Sequence, residues 1–450
     1  MYDPFVPHPR SCVMADARPQ ALTVRGGCSW LGLTLPFEAA LFSFRARQRT
    51  PGDLAQAELR DAPIALSRLA SVREQPLICL ENLSWPDDEG LGDTELVRAV
   101  ELADGPLTLV SRVPVEWEKR AGELEALSRR TSVALIMAVG WESSDELRSM
   151  SEEQLDSMVE RLVAAVSEGF GSTPAGERIR AGAFGTLMLR NSPDDSRLLS
   201  VLAAAHVRTG APILCELPAC GLACPEAAHA SADAASATLD SLRSAGVNME
   251  RVLVAHAQHL LRAPDKLHAL LHKGIRCAFT GLGMGWCVAG ARPTDDPWLI
   301  PPDDEVVAQA LVGLCRDGFT SQLLLSPCIE SRLQMCAFGG AGYTHMQSSF
   351  LPRARRLGLT QEDEAFVTRE NAARLFAFWV PPPPPERAVK VWECDTCHRR
   401  FVEAVNEAEA LPEDRPYYEK FSFRYCSTNC LAAHRKASFV QPFSAPPPPV

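Results

Sequence analysis

The chain has 450 residues, of which 46% are hydrophobic and 22% charged, and its formal net charge is −11. This composition is that of a folded globular protein with room for one large domain and a small one. The negative charge argues against a broad nucleic-acid surface, and no apolar run approaches the roughly 20 residues of a membrane span. The first ten residues lack the apolar core of a signal peptide, and most of the fifteen cysteines are scattered, so we expect a reducing, cytoplasmic location.

From about residue 21 to residue 379, short apolar runs alternate with amphipathic stretches. Runs rich in Val, Ile and Leu that are separated by helices predict a parallel sheet buried on both faces. Eight such units over about 350 residues predict a (β/α)8 TIM barrel in the α/β class. An open doubly wound sheet is less favoured, because no glycine-rich phosphate loop follows the first strand. The predicted strands are Leu31–Leu35, Leu107–Ser111, Val133–Val139, Ala183–Leu189, Pro212–Cys215, Val252–His256, Cys277–Thr280 and Leu323–Ser326. The predicted helices include Glu152–Glu168, Asp195–Thr209, Ala232–Ala245, Ala263–Lys273 and Asp304–Asp317.

Two proline runs delimit the C-terminal part of the chain. Pro381–Pro385 favours a stiff polyproline spacer that cannot continue a helix, and Pro446–Pro449 lies at the end. The predicted organisation is an N-terminal extension at 1–20, a barrel at 21–379, a proline-rich linker at 380–390, a zinc module at 391–437 and a proline-rich tail at 438–450.

The end of the barrel segment carries several motifs in a fixed order. They are Leu323-Leu324-Leu325-Ser326, then Phe338-Gly339-Gly340-Ala341-Gly342-Tyr343-Thr344-His345, then Asn371-Ala372-Ala373-Arg374-Leu375-Phe376. A Leu31-Gly32-Leu33-Thr34-Leu35 opening and Gly140-Trp141 add to them. Together these motifs resemble the last strand, the Gly-Gly-x-Gly-Tyr loop and the closing helix of the phosphotriesterase-related family in the amidohydrolase superfamily.

The resemblance implies a two-metal hydrolase whose ligands lie at the C-terminal ends of the barrel strands. It places the metal-binding positions at Phe37 and Ala39 (a His-x-His pair), near Thr186, at Glu216, at His256, and at or near Pro327-Cys328. Among these, only His256 keeps the residue type of the family, and Phe37 and Ala39 offer no ligand atom. We therefore expect that the ancestral catalysis has been lost.

Different interpretations of the residues that remain at the barrel mouth stay open. Glu216, His256 and Cys328 are a candidate mononuclear zinc site with water as fourth ligand. Otherwise His256 is a hydrogen-bonded core histidine and Glu216 a solvated loop carboxylate. A nucleophile at Cys215 or Cys328, with His256 or His259 as its base, lacks an orienting third residue.

Two close cysteine pairs lie beyond the first proline run. Two such pairs, joined by a loop that folds back, can chelate a structural zinc with tetrahedral geometry. The pattern resembles a treble-clef finger, in which the second pair stands at the start of a helix; the alternative is two reduced pairs without metal. The candidate ligands are Cys394, Cys397, Cys426 and Cys430, with His398 and His434 as substitutes for one cysteine.

Residues 386–440 contain nine Lys or Arg and nine Asp or Glu, a balance that favours a protein partner over DNA. The first functional hypothesis is a pseudoenzyme barrel that acts as a scaffold, with protein contacts through the zinc module and room for a small molecule in the barrel mouth. The second is a zinc-dependent hydrolase of ester or amide bonds that uses the mononuclear site. The sequence does not decide whether the protein is an enzyme.

Overall fold

A computed structural model describes residues 20–28, 31–45, 48–86, 90–113, 116–141, 147, 149–219, 224–284, 301–379, 389–404, 418–420 and 422–437. The chain divides into two compact units, Met1–Val380 and Pro381–Val450. Almost all of the expected N-terminal extension and proline-rich linker, and the whole proline-rich tail, lie outside the described residues. The domain limits therefore stay predictions.

Eight parallel strands build a nearly closed barrel in the first unit, in the order β10-β9-β8-β7-β6-β5-β4-β3. A small antiparallel sheet, β11-β1-β2, lies beside it in the same unit. The strands are β1 (Gln20–Thr23), β2 (Gly26–Cys28), β3 (Leu33–Glu38), β4 (Leu107–Val113), β5 (Ala134–Val139), β6 (Ala181–Met188), β7 (Ile213–Glu216), β8 (Val252–Ala255), β9 (Arg276–Thr280), β10 (Leu323–Ser326) and β11 (Ala377–Trp379). All eight predicted strands form, and the predicted TIM barrel is confirmed.

Helices follow the strands, as amphipathic periodicity predicts. The α-helices of this unit are Leu54–Arg60, Leu69–Glu74, Leu91–Leu102, Trp117–Thr131, Glu152–Ser167, Ser196–Thr209, Pro225–Ser244, Pro264–His272, Asp304–Arg316, Leu351–Leu357, Gln361–Ala365 and Asn371–Phe376. The helix predicted from Ala232 begins seven residues earlier. Pro225 occupies its first turn and the Cys224 sulfur accepts a hydrogen bond from the Ala227 amide, so this start is both preorganised and capped.

The barrel is held together by burial on both faces of its strands. Every residue of β3 and β4 is buried, which is the pattern of a parallel sheet covered by helices outside and filled by side chains inside. The first and last strands meet where the Phe37 amide donates to the Ser326 hydroxyl over 3.2 Å. Among the described residues, no helix combines the length and apolarity that crossing a bilayer requires.

The described residues of the second unit form two antiparallel strand pairs and one helix. Strand β12 (Val389–Glu393) pairs with β13 (Arg400–Ala404), and β14 (Tyr418–Lys420) pairs with β15 (Phe423–Tyr425). The helix Thr428–Lys436 follows; the sequence predicts a short helix at residues 431–436, so the observed helix begins three residues earlier. Of the four cysteines of the predicted zinc module, Cys394 and Cys397 lie between β12 and β13, Cys426 directly follows β15, and Cys430 lies in the helix.

Candidate functional site

The carboxyl ends of the barrel strands bring several polar side chains to one mouth, the face that bears the active site in TIM-barrel enzymes. Sequence reasoning placed Glu216, His256 and Cys328 there, and the structure agrees: Glu216 ends β7, while the other two follow β8 and β10. The structure adds Glu38 at the end of β3, Arg112 near the end of β4, Thr280 at the end of β9, and Glu330.

Glu38 is fully buried and fixes the loop that follows the last strand. Its Oε1 accepts hydrogen bonds from the Ser326 hydroxyl (2.5 Å) and the Cys328 amide (2.7 Å), and its Oε2 accepts one from the Ile329 amide (2.7 Å). Burial raises the pKa of Glu38 to about 7, although these bonds and nearby Arg112 oppose the shift. Cys328, whose φ is 57°, is thereby held in the left-handed region. Sequence reasoning missed Glu38, yet a carboxylate ending an apolar strand was a visible signal.

The two positions of the expected His-x-His pair have become parts of the core. Phe37 is fully buried, and its ring meets the His256 ring edge-on at a centroid distance of 5.3 Å. Ala39 is also buried and belongs to the main apolar cluster of the unit. Neither side chain offers a ligand atom, so a binuclear centre does not fit the first strand.

Arg112 lies at the centre of the mouth. Its Nε donates to the Glu38 carbonyl over 3.3 Å, and its Nη2 forms an ion pair with Glu330 and contacts the Cys328 sulfur at 3.7 Å. The guanidinium carbon stands 4.0 Å from the centroid of the Phe37 ring, a cation–π geometry. Burial alone would lower the pKa of Arg112, but the charges of Glu330, Cys328 and Glu216 raise it above its ordinary value. Sequence reasoning missed this residue, although an arginine in the apolar run of β4 could have signalled it.

His256 is a buried histidine with hydrogen-bond partners. Its Nδ1 lies 2.5 Å from the Thr280 hydroxyl, which also accepts a bond from the Gln258 side chain at 3.3 Å. Its Nε2 lies 3.5 Å from Glu216 Oε2, and its ring stacks on that of His259 at 5.2 Å. The Glu216 side chain is 16% exposed, so this carboxylate belongs to the mouth rather than to a solvated loop.

Cys328 lies close to this group. It is 3% exposed, and its sulfur lies 3.7 Å from Glu330 Oε1. Across the part of the chain that the structure describes, only the four C-terminal cysteines form a group of three or more His, Cys, Asp or Glu whose ligand atoms all lie within 4.8 Å of one another. A mononuclear site of Glu216, His256 and Cys328 stays a prediction.

A small cavity of about 60 Å³, partly open to solvent, lies at the mouth. Its lining includes His256, Thr280, Glu330 and Asp304. Asp304 forms an ion pair with His345 of the glycine-rich loop and accepts a bond from the Gly283 amide at 2.9 Å. Burial opposes ionisation of Asp304, but these partners prevail and lower its pKa. This volume is below that of a typical ligand pocket, so a small molecule in the barrel mouth stays a prediction.

The four C-terminal cysteines come together as predicted. The sulfur of Cys426 lies 3.6 Å from those of Cys397 and Cys430, and the sulfur of Cys394 accepts the Cys426 amide at 3.5 Å. Thiolates about 2.3 Å from one tetrahedral zinc would stand about 3.8 Å apart, so the arrangement fits zinc. Ser427 caps the helix by accepting a bond from the Cys430 amide, which brings a helix N-terminus to the sulfurs.

The environment of these sulfurs favours charge on at least one of them. Burial opposes ionisation of Cys394, but the amides of Cys397, Cys426 and Thr396 lower its pKa to about 6. The two candidate substitutes are engaged elsewhere: His398 pairs with Glu393 at 2.9 Å, and His434 is buried with its Nδ1 3.0 Å from the Tyr425 hydroxyl. Neither histidine belongs to the sulfur group.

Comparisons with known proteins match both units. The sequence model of the phosphotriesterase family matches residues 98–376, and that of the Vms1-associating treble clef domain matches residues 389–442. An N-acetyltaurine hydrolase of Tetraodon nigroviridis is 24% identical over 77% of this chain and 94% of its own length. A resiniferatoxin-binding protein of Rhodobacter sphaeroides has a similar structure, with a TM-score of 0.67 and 24% identity over 82% of this chain and 98% of that one. The phosphotriesterase homology protein of Escherichia coli superimposes with a TM-score of 0.54 and 18% identity over 77% of this chain and 98% of that one.

Proposed function

Because this chain belongs to the phosphotriesterase family, we propose that it is a family member without the binuclear metal centre, acting as a binding or scaffolding protein. The observation that carries the proposal is the packing of Phe37. Its ring occupies the first-strand position at which the family resemblance implies a metal ligand. The Arg112 guanidinium lies 4.0 Å from the centroid of this ring. A bound divalent cation needs several cooperating ligands, and at the first strand this mouth offers an aromatic face and a fixed positive charge instead.

The proposal includes a structural zinc held by the four C-terminal cysteines. The cysteine spacing, the sulfur distances and the treble clef match support it. A module this small gains most of its folding free energy from the metal. We propose that residues 389–442 bind a protein partner, since the matched domain is described as Vms1-associating, and that the chain works in the cytoplasm.

The test is the metal content of the purified full-length chain by mass spectrometry. We expect one zinc per chain, lost when Cys394 and Cys426 are changed to Ser and retained in His256→Ala. A second metal that survives the cysteine changes and disappears in His256→Ala contradicts the proposal. Cys224→Ser is the matched control, because serine also caps a helix N-terminus and the zinc should stay.

The second candidate function is hydrolysis of an amide or ester bond. Two observations favour it: the 3.5 Å approach of His256 and Glu216 beneath an open cavity, and the curated relatives named N-acetyltaurine hydrolase. The test is release of acetate from N-acetyltaurine by the purified chain with added zinc. Turnover that is abolished by Glu216→Ala supports this function, whereas equal acetate release in the variant assigns it to a contaminant.

A further inference from the structure

Two pairs of metal-ligating side chains face Arg112 at the barrel mouth. In one pair, Glu216 Oε2 and His256 Nε2 lie 3.5 Å apart; in the other, the Cys328 sulfur and Glu330 Oε1 lie 3.7 Å apart. The guanidinium of Arg112 contacts both members of the second pair, and the negative charge of Glu216 also stabilises it. The arginine is therefore the cation beside Cys328 and Glu330, and it also interacts with the charge of Glu216.

The main chain and the first strand hold this guanidinium in place. The Glu38 carbonyl accepts from Nε, and the Phe37 ring lies beneath the guanidinium plane. Phe37 also touches the His256 ring, so one aromatic side chain separates the histidine from the guanidinium. The phenylalanine at this expected ligand position thus also contacts a permanent cation, the Arg112 guanidinium.

We propose that Arg112 is a built-in replacement for the metal, neutralising the donors of the barrel mouth and preventing a divalent cation from binding them. The inference rests on the proposed loss of the binuclear centre and identifies what took its place. A guanidinium keeps its proton at any pH that proteins tolerate, so the exclusion is permanent. Two positive charges a few ångströms apart repel strongly where water is scarce.

The experiment compares variants of Arg112 in the full-length chain, with Zn²⁺ and Co²⁺ as the probes. Arg112→Met removes the charge and keeps similar length; we expect it to bind a second divalent cation at least 100-fold more tightly than the wild-type barrel. Cobalt should then show visible absorption that disappears in Arg112→Met combined with His256→Ala. Arg112→Lys keeps a positive charge and should bind one zinc per chain, as the wild type does.

A folded Arg112→Met that still holds one zinc overturns the inference, as does an Arg112→Lys that gains a second. Phe37→His is an independent variant, because it restores a first-strand ligand while Arg112 stays. It should gain no metal, and tight binding by it would also overturn the inference. If Arg112→Met does not fold, Arg112→Gln and Phe37→His decide the question. A barrel metal in the wild type contradicts the proposed function instead, so the two failures are distinguishable.

Discussion

The buried carboxyl of Glu38 should make the stability of the barrel depend on pH. Its pKa is about 7 in the folded protein, above the ordinary value of 4.5, so the folded state binds the proton more tightly than the unfolded state. The stabilisation by this proton is therefore complete below about pH 4.5 and is lost as pH rises through about 7. A shift of this size corresponds to about 3 kcal/mol in total, of which about 2 kcal/mol is lost between about pH 5.5 and 8.5.

Glu38→Gln removes this titration. The variant should be less stable than the wild type at both about pH 5.5 and about pH 8.5, because the NH₂ of Gln would face the donating amide of either Cys328 or Ile329. The difference in the free energy of unfolding between wild type and variant should shrink by about 2 kcal/mol at the higher pH, because Glu38 of the wild type has lost its proton there.

Urea unfolding followed by the fluorescence of the buried Trp117 and Trp141 measures this difference. Titration of other groups cancels between wild type and variant. The control is Glu118→Gln, which makes the same carboxyl-to-amide change on a side chain that is 64% exposed in the native chain. If Glu38→Gln lowers the free energy of unfolding equally at both pH values, the reasoning is refuted.

Three further outcomes follow from the packing. Phe37→Ala should lower the free energy of unfolding by about 3–5 kcal/mol, because it empties a fully buried site and removes the face beneath Arg112; a loss under about 1 kcal/mol in urea unfolding would contradict this packing. Asn371→Ala should cost about 2–3 kcal/mol by the same measurement, since the Asn371 side chain donates to two backbone carbonyls at 2.7 and 2.9 Å; an unchanged midpoint would mean that water replaces it. Cys394→Ser should reduce zinc content about tenfold in a colorimetric chelator assay, because zinc affinity depends on all four thiolates, while the barrel fluorescence stays unchanged.

Local patterns in the sequence determined the architecture. Apolar runs at strand length separated by amphipathic stretches can bury themselves only as a parallel sheet covered by helices, so all eight strands were predictable. The cysteine module was predictable for a similar reason, since two close pairs chelate wherever the loop between them folds back. The first strand, predicted as Leu31–Leu35, begins two residues later and runs on to Glu38, because the polar end of the strand is buried by the loop after β10.

The arrangement of side chains at the mouth is determined only by the folded barrel. Arg112 and Glu330 stand 218 residues apart, and no periodicity relates an arginine in β4 to a carboxylate beyond β10. Their ion pair forms because barrel closure brings the strand ends to one face, where a buried charge must find a partner. The sequence by itself identified Phe37 and Ala39 as positions without metal ligands. The tertiary structure placed a guanidinium on the Phe37 ring, because a mouth lined by carboxylates still requires a positive charge.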